Sequence, residues 1–76
     1  MELPNEIIGC RLRELCERES ISVGEFARRA QVSVSSAHHW ARGDYAPTAP
    51  ALYQIATTYH VSVDWLLGLI PEERRN

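Results

Sequence analysis

The ten residues from Ser33 to Arg42 form a segment that is dense in hydrogen-bonding side chains. Three hydroxyls, two imidazoles and one guanidinium occupy Ser33, Ser35, Ser36, His38, His39 and Arg42. These groups donate and accept hydrogen bonds, and the guanidinium also carries a permanent positive charge. His38 and His39 do not indicate a metal site, because adjacent side chains on a helix diverge by about 100°. The chemistry expected of this segment is therefore hydrogen bonding to a partner, without a metal ion.

The two cysteines do not suggest a different chemistry. Cys10 and Cys16 lie six positions apart on one predicted helix, which separates them by roughly 9 Å along its axis. At that distance they cannot form a disulfide with each other. The sequence also has no glycine-rich phosphate loop and no convincing pair of a nucleophile and a base. We therefore predict no metal, no cofactor and no enzymatic activity.

Two short helices joined by a tight corner must position the polar segment. Ser22 and Glu25 form an S-x-x-E capping box, which predicts that a helix begins at Val23. Ser33 is a second candidate N-cap, and Gly43 is a typical residue just after a helix end. Apolar residues recur at three- and four-residue spacing and give the two helices a packing face. They are Phe26, Ala27, Ala30, Ala37 and Trp40.

The rest of the sequence predicts three more helices around this pair. The first begins near Asn5, which is a possible N-cap, and runs to about Glu19. Another follows Thr48 as its N-cap, and a short last helix runs from Val63 to about Leu69. The chain is therefore predicted to be all-α, a compact bundle of about five short helices.

Length and composition fit one small domain. The chain has 76 residues and a hydrophobic content of 45%, which leaves no room for a second core. We expect a single domain over 1–76, with a core at about 7–69 and frayed ends at 1–4 and 71–76. Its apolar runs are short and interrupted by charge, so we expect neither a membrane span nor a signal peptide, and a cytoplasmic location.

Short motifs in a fixed order connect this pattern to a known family. They are Ile8 to Leu15, Val32-Ser33, Trp40 to Gly43, Pro47-Thr48, Ile55-Ala56 and His60 to Gly68. In order and spacing they resemble the signatures of the Cro/CI-like, or XRE-type, helix-turn-helix repressors of bacteria and phages. The resemblance implies a lambda-repressor-like bundle in which the second helix of the motif enters the major groove of DNA.

The resemblance also assigns DNA contacts to residues of the motif. Its base-reading positions correspond to Val34, Ser35, Ser36 and His39, and His38 lies on the same outer surface. Contacts to the phosphate backbone are expected from Ser33, Arg42, Arg28 or Arg29, and Tyr45. None of the base-reading side chains is a strong bidentate reader, so we expect modest specificity from each domain.

Several departures from the family pattern weaken the expected grip on DNA. Val23 stands where relatives often have a phosphate-binding glutamine, and Asp44 where they often have lysine or arginine. Gln31 takes the corner position that is usually glycine, so either it adopts a left-handed backbone at some cost or the turn differs. The chain is also acidic, with 8 basic and 10 acidic residues, whereas DNA binders usually have a basic face.

The first function predicted is a sequence-specific DNA-binding transcriptional regulator, associated with the bacterial nucleoid and encoded by a bacterium or a phage. We expect a repressor that occupies operator DNA as a homodimer, because so small a domain cannot bury all the apolar surface of the last helix. The expected dimer contacts are Trp65, Leu66 and Leu69. The alternative is a protein-interaction module on the same fold, such as an antirepressor. No small-molecule ligand is expected.

Overall fold

The computed structural model describes residues 3–71, and this part of the chain folds into five α-helices. They are α1 (Asn5–Glu19), α2 (Val23–Ala30), α3 (Val34–Arg42), α4 (Ala49–Tyr59) and α5 (Val63–Leu66). No strand occurs within residues 3–71. The predicted all-α bundle is therefore confirmed, with the motif in α2 and α3. The predicted start of α2 at Val23 is confirmed as well.

The core is built from apolar side chains at helical spacing on the four longer helices, from the segment that leads into α5 and from α5 itself. Its largest fully buried side chains are Ile8, Leu12, Leu15, Phe26, Ile55, Val61 and Leu66. Phe26 of α2 stacks on Tyr59 of α4, with ring centroids 4.6 Å apart. The Tyr59 hydroxyl donates a hydrogen bond of 2.7 Å to the carbonyl of Phe26, and burial raises the pKa of Tyr59 to about 12. This pair attaches the first helix of the motif to the body of the domain.

A close approach between α1 and α3 fixes the second helix of the motif. A Cβ atom at Gly9 would lie 2.9 Å from the carbonyl oxygens of Trp40 and Ala41. Real side chains essentially never approach backbone so closely, so the contact requires glycine. The position of α3 in the fold therefore depends on the missing side chain of Gly9.

Three arginines of α1 bind the carboxyl ends of three other helices, an arrangement that the sequence analysis did not predict. Arg11, Arg13 and Arg18 donate hydrogen bonds to the carbonyls of Trp65 in α5, Ala41 in α3 and Tyr59 in α4, respectively. The guanidinium of Arg11 also lies 5.0 Å from the ring centre of Trp65, which is a cation–π contact. The last carbonyls of a helix have no acceptor role within their own helix. α1 therefore supplies hydrogen bonds to carbonyls at the ends of the other helices, and the Trp65 carbonyl also accepts one from the N–H of Gly68.

The corner between α2 and α3 has the left-handed backbone that glycine usually supplies. Gln31 has a φ of 58°. Of the two predicted alternatives, a left-handed backbone at this residue or a different turn, the left-handed backbone is therefore the one found. Its N–H donates to the carbonyl of Arg28, and the next N–H, from Val32, donates to the carbonyl of Ala27. These bonds satisfy the end of α2. The corner thus has the expected shape, at a backbone cost of about 1 kcal/mol relative to glycine.

Two details of the predicted helix ends are wrong, and one is only partly right. Asn5 is the first residue of α1 instead of its N-cap, which is Pro4. α5 ends at Leu66 rather than near Leu69, because Gly68 adopts a left-handed φ of 77° that no helix continues. Thr48 precedes α4 as predicted, but its side chain makes no capping hydrogen bond.

The dimer prediction is also wrong for two of its three residues. Trp65 and Leu66 are 3% and 0% exposed, so neither side chain is available for contact with a second copy. The physical reason is that α5 packs between α1 and α4, which bury its apolar residues within the protomer. Only Leu69, beyond the end of α5, is strongly exposed, at 70%.

Candidate nucleic-acid interface

Serine caps fix the first turn of both helices of the motif. The hydroxyl of Ser22 accepts a hydrogen bond of 3.1 Å from the N–H of Glu25. The hydroxyl of Ser33 accepts one of 3.2 Å from the N–H of Ser36. The predicted capping box at Ser22 is thus present in its backbone half, while the Glu25 carboxylate turns to two arginines instead. The hydroxyl of Ser33 already has a structural role, and its contact with DNA stays a prediction.

α3 presents a polar face directly opposite the face that packs. Ala37, Trp40 and Ala41 are buried against the rest of the domain. At 100° per residue, the opposite side of the helix carries Ser35, His39 and Arg42. His38 and Ser36 lie at the two edges of this face, and Val34 is half-buried at the start of the helix. The structure therefore brings the predicted base-reading residues and Arg42 onto one accessible surface.

Both α2 arginines pair with one carboxylate. Glu25 accepts hydrogen bonds from Arg29 at 3.2 Å and from Arg28 at 3.4 Å. These bonds lower the pKa of Glu25, with Arg29 the larger cause and Arg28 the next. All three side chains are largely exposed, and ion pairs between such groups contribute little to stability. The predicted phosphate contact Arg28 is thus at the surface, next to an acid that partly offsets its charge.

A second acid binds the end of the polar face of α3. One oxygen of Asp44, Oδ2, lies 2.9 Å from Nδ1 of His39 and accepts a hydrogen bond of 3.2 Å from Nε of Arg42. These contacts lower the pKa of Asp44, and the bond from His39 is the largest cause. The ring of Tyr45 stacks on His39 at a centroid distance of 5.2 Å. We name these four residues, His39, Arg42, Asp44 and Tyr45, the α3-end cluster.

Sequence reasoning identified every member of the α3-end cluster but not their association. It treated Asp44 only as an unfavourable charge and Tyr45 as a separate phosphate contact. The signal that reveals the association is Gly43, whose left-handed φ of 80° turns the chain back over the last turn of α3. Residues just after such a turn can reach side chains one turn before it.

The charge of the candidate interface is small. Arg28, Arg29 and Arg42 supply three positive charges, and Glu25 and Asp44 supply two negative ones, which leaves +1 when the histidines are neutral. Each of the six arginines within residues 3–71 has an acceptor in the chain itself, and three of them donate to carbonyls at helix ends. An anion that binds at this face therefore competes with the carboxylates already paired with Arg28, Arg29 and Arg42.

Other surface features within residues 3–71 are few. The exposed large apolar side chains include Leu3, Ile7 and Leu69, and Ile7 packs directly over Gly68. In this part of the chain, no group of three or more His, Cys, Asp or Glu side chains is arranged to hold a metal ion. None of its helices is both long and apolar enough to cross a membrane.

Comparison with known protein families identifies the motif. A family model described as a helix-turn-helix domain matches residues 7–69, which include α2 to α5 and nearly all of α1. No curated protein and no solved structure matches the chain.

Proposed function

The chain belongs to the helix-turn-helix domain family, of the Cro/CI-like kind, and we propose that it is a sequence-specific DNA-binding transcriptional regulator. The observation that carries this proposal is the polar face of α3. That face is rigid, because Ser33 caps its start, Gly43 ends it and Gly9 lets α1 pack against its back. An α-helix with such a face fits the major groove of B-DNA.

In this proposal the predicted contact residues of the motif fall into two groups. Ser35, Ser36 and His39 form hydrogen bonds with base edges, and Val34 packs against a thymine methyl group. Arg42 and Arg28, together with Ser33, Tyr45 and His38, contact the phosphate backbone. By occupying operator DNA in this way, the protein excludes polymerase and represses transcription.

One observation favours a second function, a protein-interaction module with weak DNA binding. Glu25 and Asp44 place two carboxylates on the same surface as the arginines, and such acids repel phosphate. We favour DNA binding, because exposed ion pairs are weak and phosphate is a strong acceptor for guanidinium groups. The motif arginines can therefore exchange their carboxylate partners for DNA.

The salt dependence of DNA binding tests this choice. We expect affinity for selected DNA to fall steeply with salt, and Arg42→Ala to reduce the slope of log K against log salt by about one, since one phosphate contact is lost. Thr58→Glu on α4 is the matched control: it lowers the net charge by the same one unit outside the motif and should leave the slope nearly unchanged. Failure of the chain to bind genomic fragments at low salt would contradict the proposed function.

We also propose that the regulator binds as a homodimer through the exposed apolar surface around Ile7 and Leu69, so that two copies of α3 read half-sites about one helical turn apart. Analytical ultracentrifugation should show a dimer for the wild type and a monomer for Leu69→Asp. Tyr53→Asp, at a position on α4 that is 66% exposed, is the control and should remain dimeric. A monomeric wild type at working concentration would rule out this interface.

A further inference from the structure

One ring nitrogen of His39 lies between a group that only donates hydrogen bonds and one that only accepts them. Nδ1 is 2.9 Å from Oδ2 of Asp44 and 3.1 Å from Nη2 of Arg42. A guanidinium has no acceptor, and an ionised carboxylate has no donor. Nδ1 can therefore satisfy only one of the two neighbours. It either carries a proton and donates to Asp44, or carries a lone pair and accepts from Arg42.

The distances favour a proton on Nδ1. The contact with Asp44 is the shorter of the two, and without a proton it would bring two lone pairs together at 2.9 Å. Arg42 does not need the imidazole as an acceptor, because its Nε already donates to the same carboxylate at 3.2 Å. Each arrangement leaves one contact without a matched donor and acceptor. With Nδ1–H donating to Asp44, the unmatched contact is the longer one, between Nη2 of Arg42 and the ring at 3.1 Å, and Arg42 keeps another acceptor.

We propose that Asp44 is a positioning residue that holds His39 in the Nδ1–H tautomer and so makes Nε2 the atom with which α3 reads a base. This inference rests on the proposed DNA-binding function. In the neutral ring Nε2 is then an acceptor, which matches the amino groups of adenine and cytosine in the major groove. In the protonated ring Nε2–H is a donor, which matches O6 and N7 of guanine.

The charged and titratable groups around the His39 ring come mainly from its own helix and the loop that follows it. The charged or titratable neighbours of His39 are Arg42 on the same helix and Asp44 and Tyr45 in the following loop. From α1, Glu6 approaches that loop with its backbone, next to Gly43. Within residues 3–71, no side chain of α1, α2, α4 or α5 forms a hydrogen bond or ion pair with the ring.

The charge of Asp44 determines what protonation does to the His39 ring. Histidine is the side chain that changes charge between pH 5 and 8. The lowered pKa of Asp44, caused first by the bond from His39 and then by Arg42, keeps its carboxylate ionised over that range. Protonation of the ring therefore turns Nε2 from an acceptor into a donor without breaking the bond between Nδ1 and Asp44, and it adds one positive charge beside Arg42.

The tautomer of His39 is measured first, without DNA. Long-range ¹H–¹⁵N NMR spectra of the full chain at pH 8 should show Nδ1–H for the wild type. Asp44→Ala should shift the ring to Nε2–H, because Nδ1 then accepts from Arg42, and Asp44→Leu, which also lacks an acceptor, provides a second variant should the first fail to fold. His38, the neighbouring exposed histidine, is the control and should not change. Nε2–H in the wild type, or no change in the variants, would overturn the inference.

The base preference is measured next, by selection from random DNA at pH 8 and pH 5.5. At one position of each half-site, the wild type should change from adenine or cytosine to guanine by about three- to tenfold, the effect of one hydrogen bond. His39→Gln has no titrating ring and should select the same site at both pH values.

Two failures are distinguishable in this design. DNA binding with the same preferred sequence at both pH values would overturn the role of Nε2 and leave the proposed function intact. No DNA binding at either pH would overturn the proposed function, and the role of Nε2 with it, even when the Nδ1–H tautomer is observed.

Discussion

The arginines of α1 and those of the motif have the same chemistry but differ in their partners. Arg11, Arg13 and Arg18 reach across the fold to backbone carbonyls at the ends of α5, α3 and α4, although Arg11 and Arg18 also pair with neighbouring carboxylates. Arg28, Arg29 and Arg42 stay at the surface and pair with carboxylates close to them in sequence. The first set connects helices, and the second leaves guanidinium groups that an anion can capture.

This difference teaches that the role of an arginine depends on how easily its partner can do without it. When the arginine leaves a helix-end carbonyl that the fold partly covers, water replaces the lost hydrogen bond poorly. An exposed carboxylate is readily solvated when its arginine leaves. The acidic net charge of −2 is therefore a weak guide to DNA binding, because half of the described arginines serve the fold and do not contribute to the interface.

The variant with the largest expected effect tests whether α1 holds α3 in place. Gly9→Ala should lower the free energy of unfolding by about 2 to 3 kcal/mol, because its Cβ would overlap the carbonyl oxygens of Trp40 and Ala41. Gly24→Ala is the control, since at the start of α2 the nearest atoms are 3.5 Å away on the Arg28 side chain. It should stabilise the fold by about 0.5 kcal/mol, the gain in helix propensity. Urea unfolding measures both, and equal effects would show that α1 does not constrain α3.

A smaller effect compares the two sets of arginines directly. Arg11→Ala should destabilise the fold by about 1 to 2 kcal/mol, because it removes both the hydrogen bond to Trp65 and the cation–π contact with its ring. Arg28→Ala removes a side chain that is 63% exposed and should leave urea unfolding nearly unchanged. Similar losses for the two variants would break the distinction between structural and surface arginines.

Much of the fold was predictable because its signals are local. Ser22 and Ser33 cap the helices that follow them, and Gly43 ends α3. Each of these features depends on residues within one turn of the chain, so spacing in the sequence is enough to detect it. The outward position of Ser35, His39 and Arg42 followed in the same way, from the periodicity of the helix.

The incorrect predictions concern residues whose environment is set by distant segments. Trp65 and Leu66 are apolar residues on a short helix, and the sequence alone does not say whether such residues face the core or a second copy. The structure places them under α1, where Arg11 covers the tryptophan ring. Burial of this kind depends on which helices pack against α5, and that is known only once the whole bundle is assembled.

The sequence by itself determined the five helices, the motif in α2 and α3 and the polar face of α3, since these follow from propensity, capping and periodicity. Only the tertiary structure decided the pairs of polar groups that helical spacing does not bring together. It directed the α1 arginines to helix ends, and it placed Asp44 against the Nδ1 of His39. Such hydrogen bonds require donor and acceptor atoms of different elements to be placed within a few tenths of an ångström of about 3 Å, which no periodic pattern encodes.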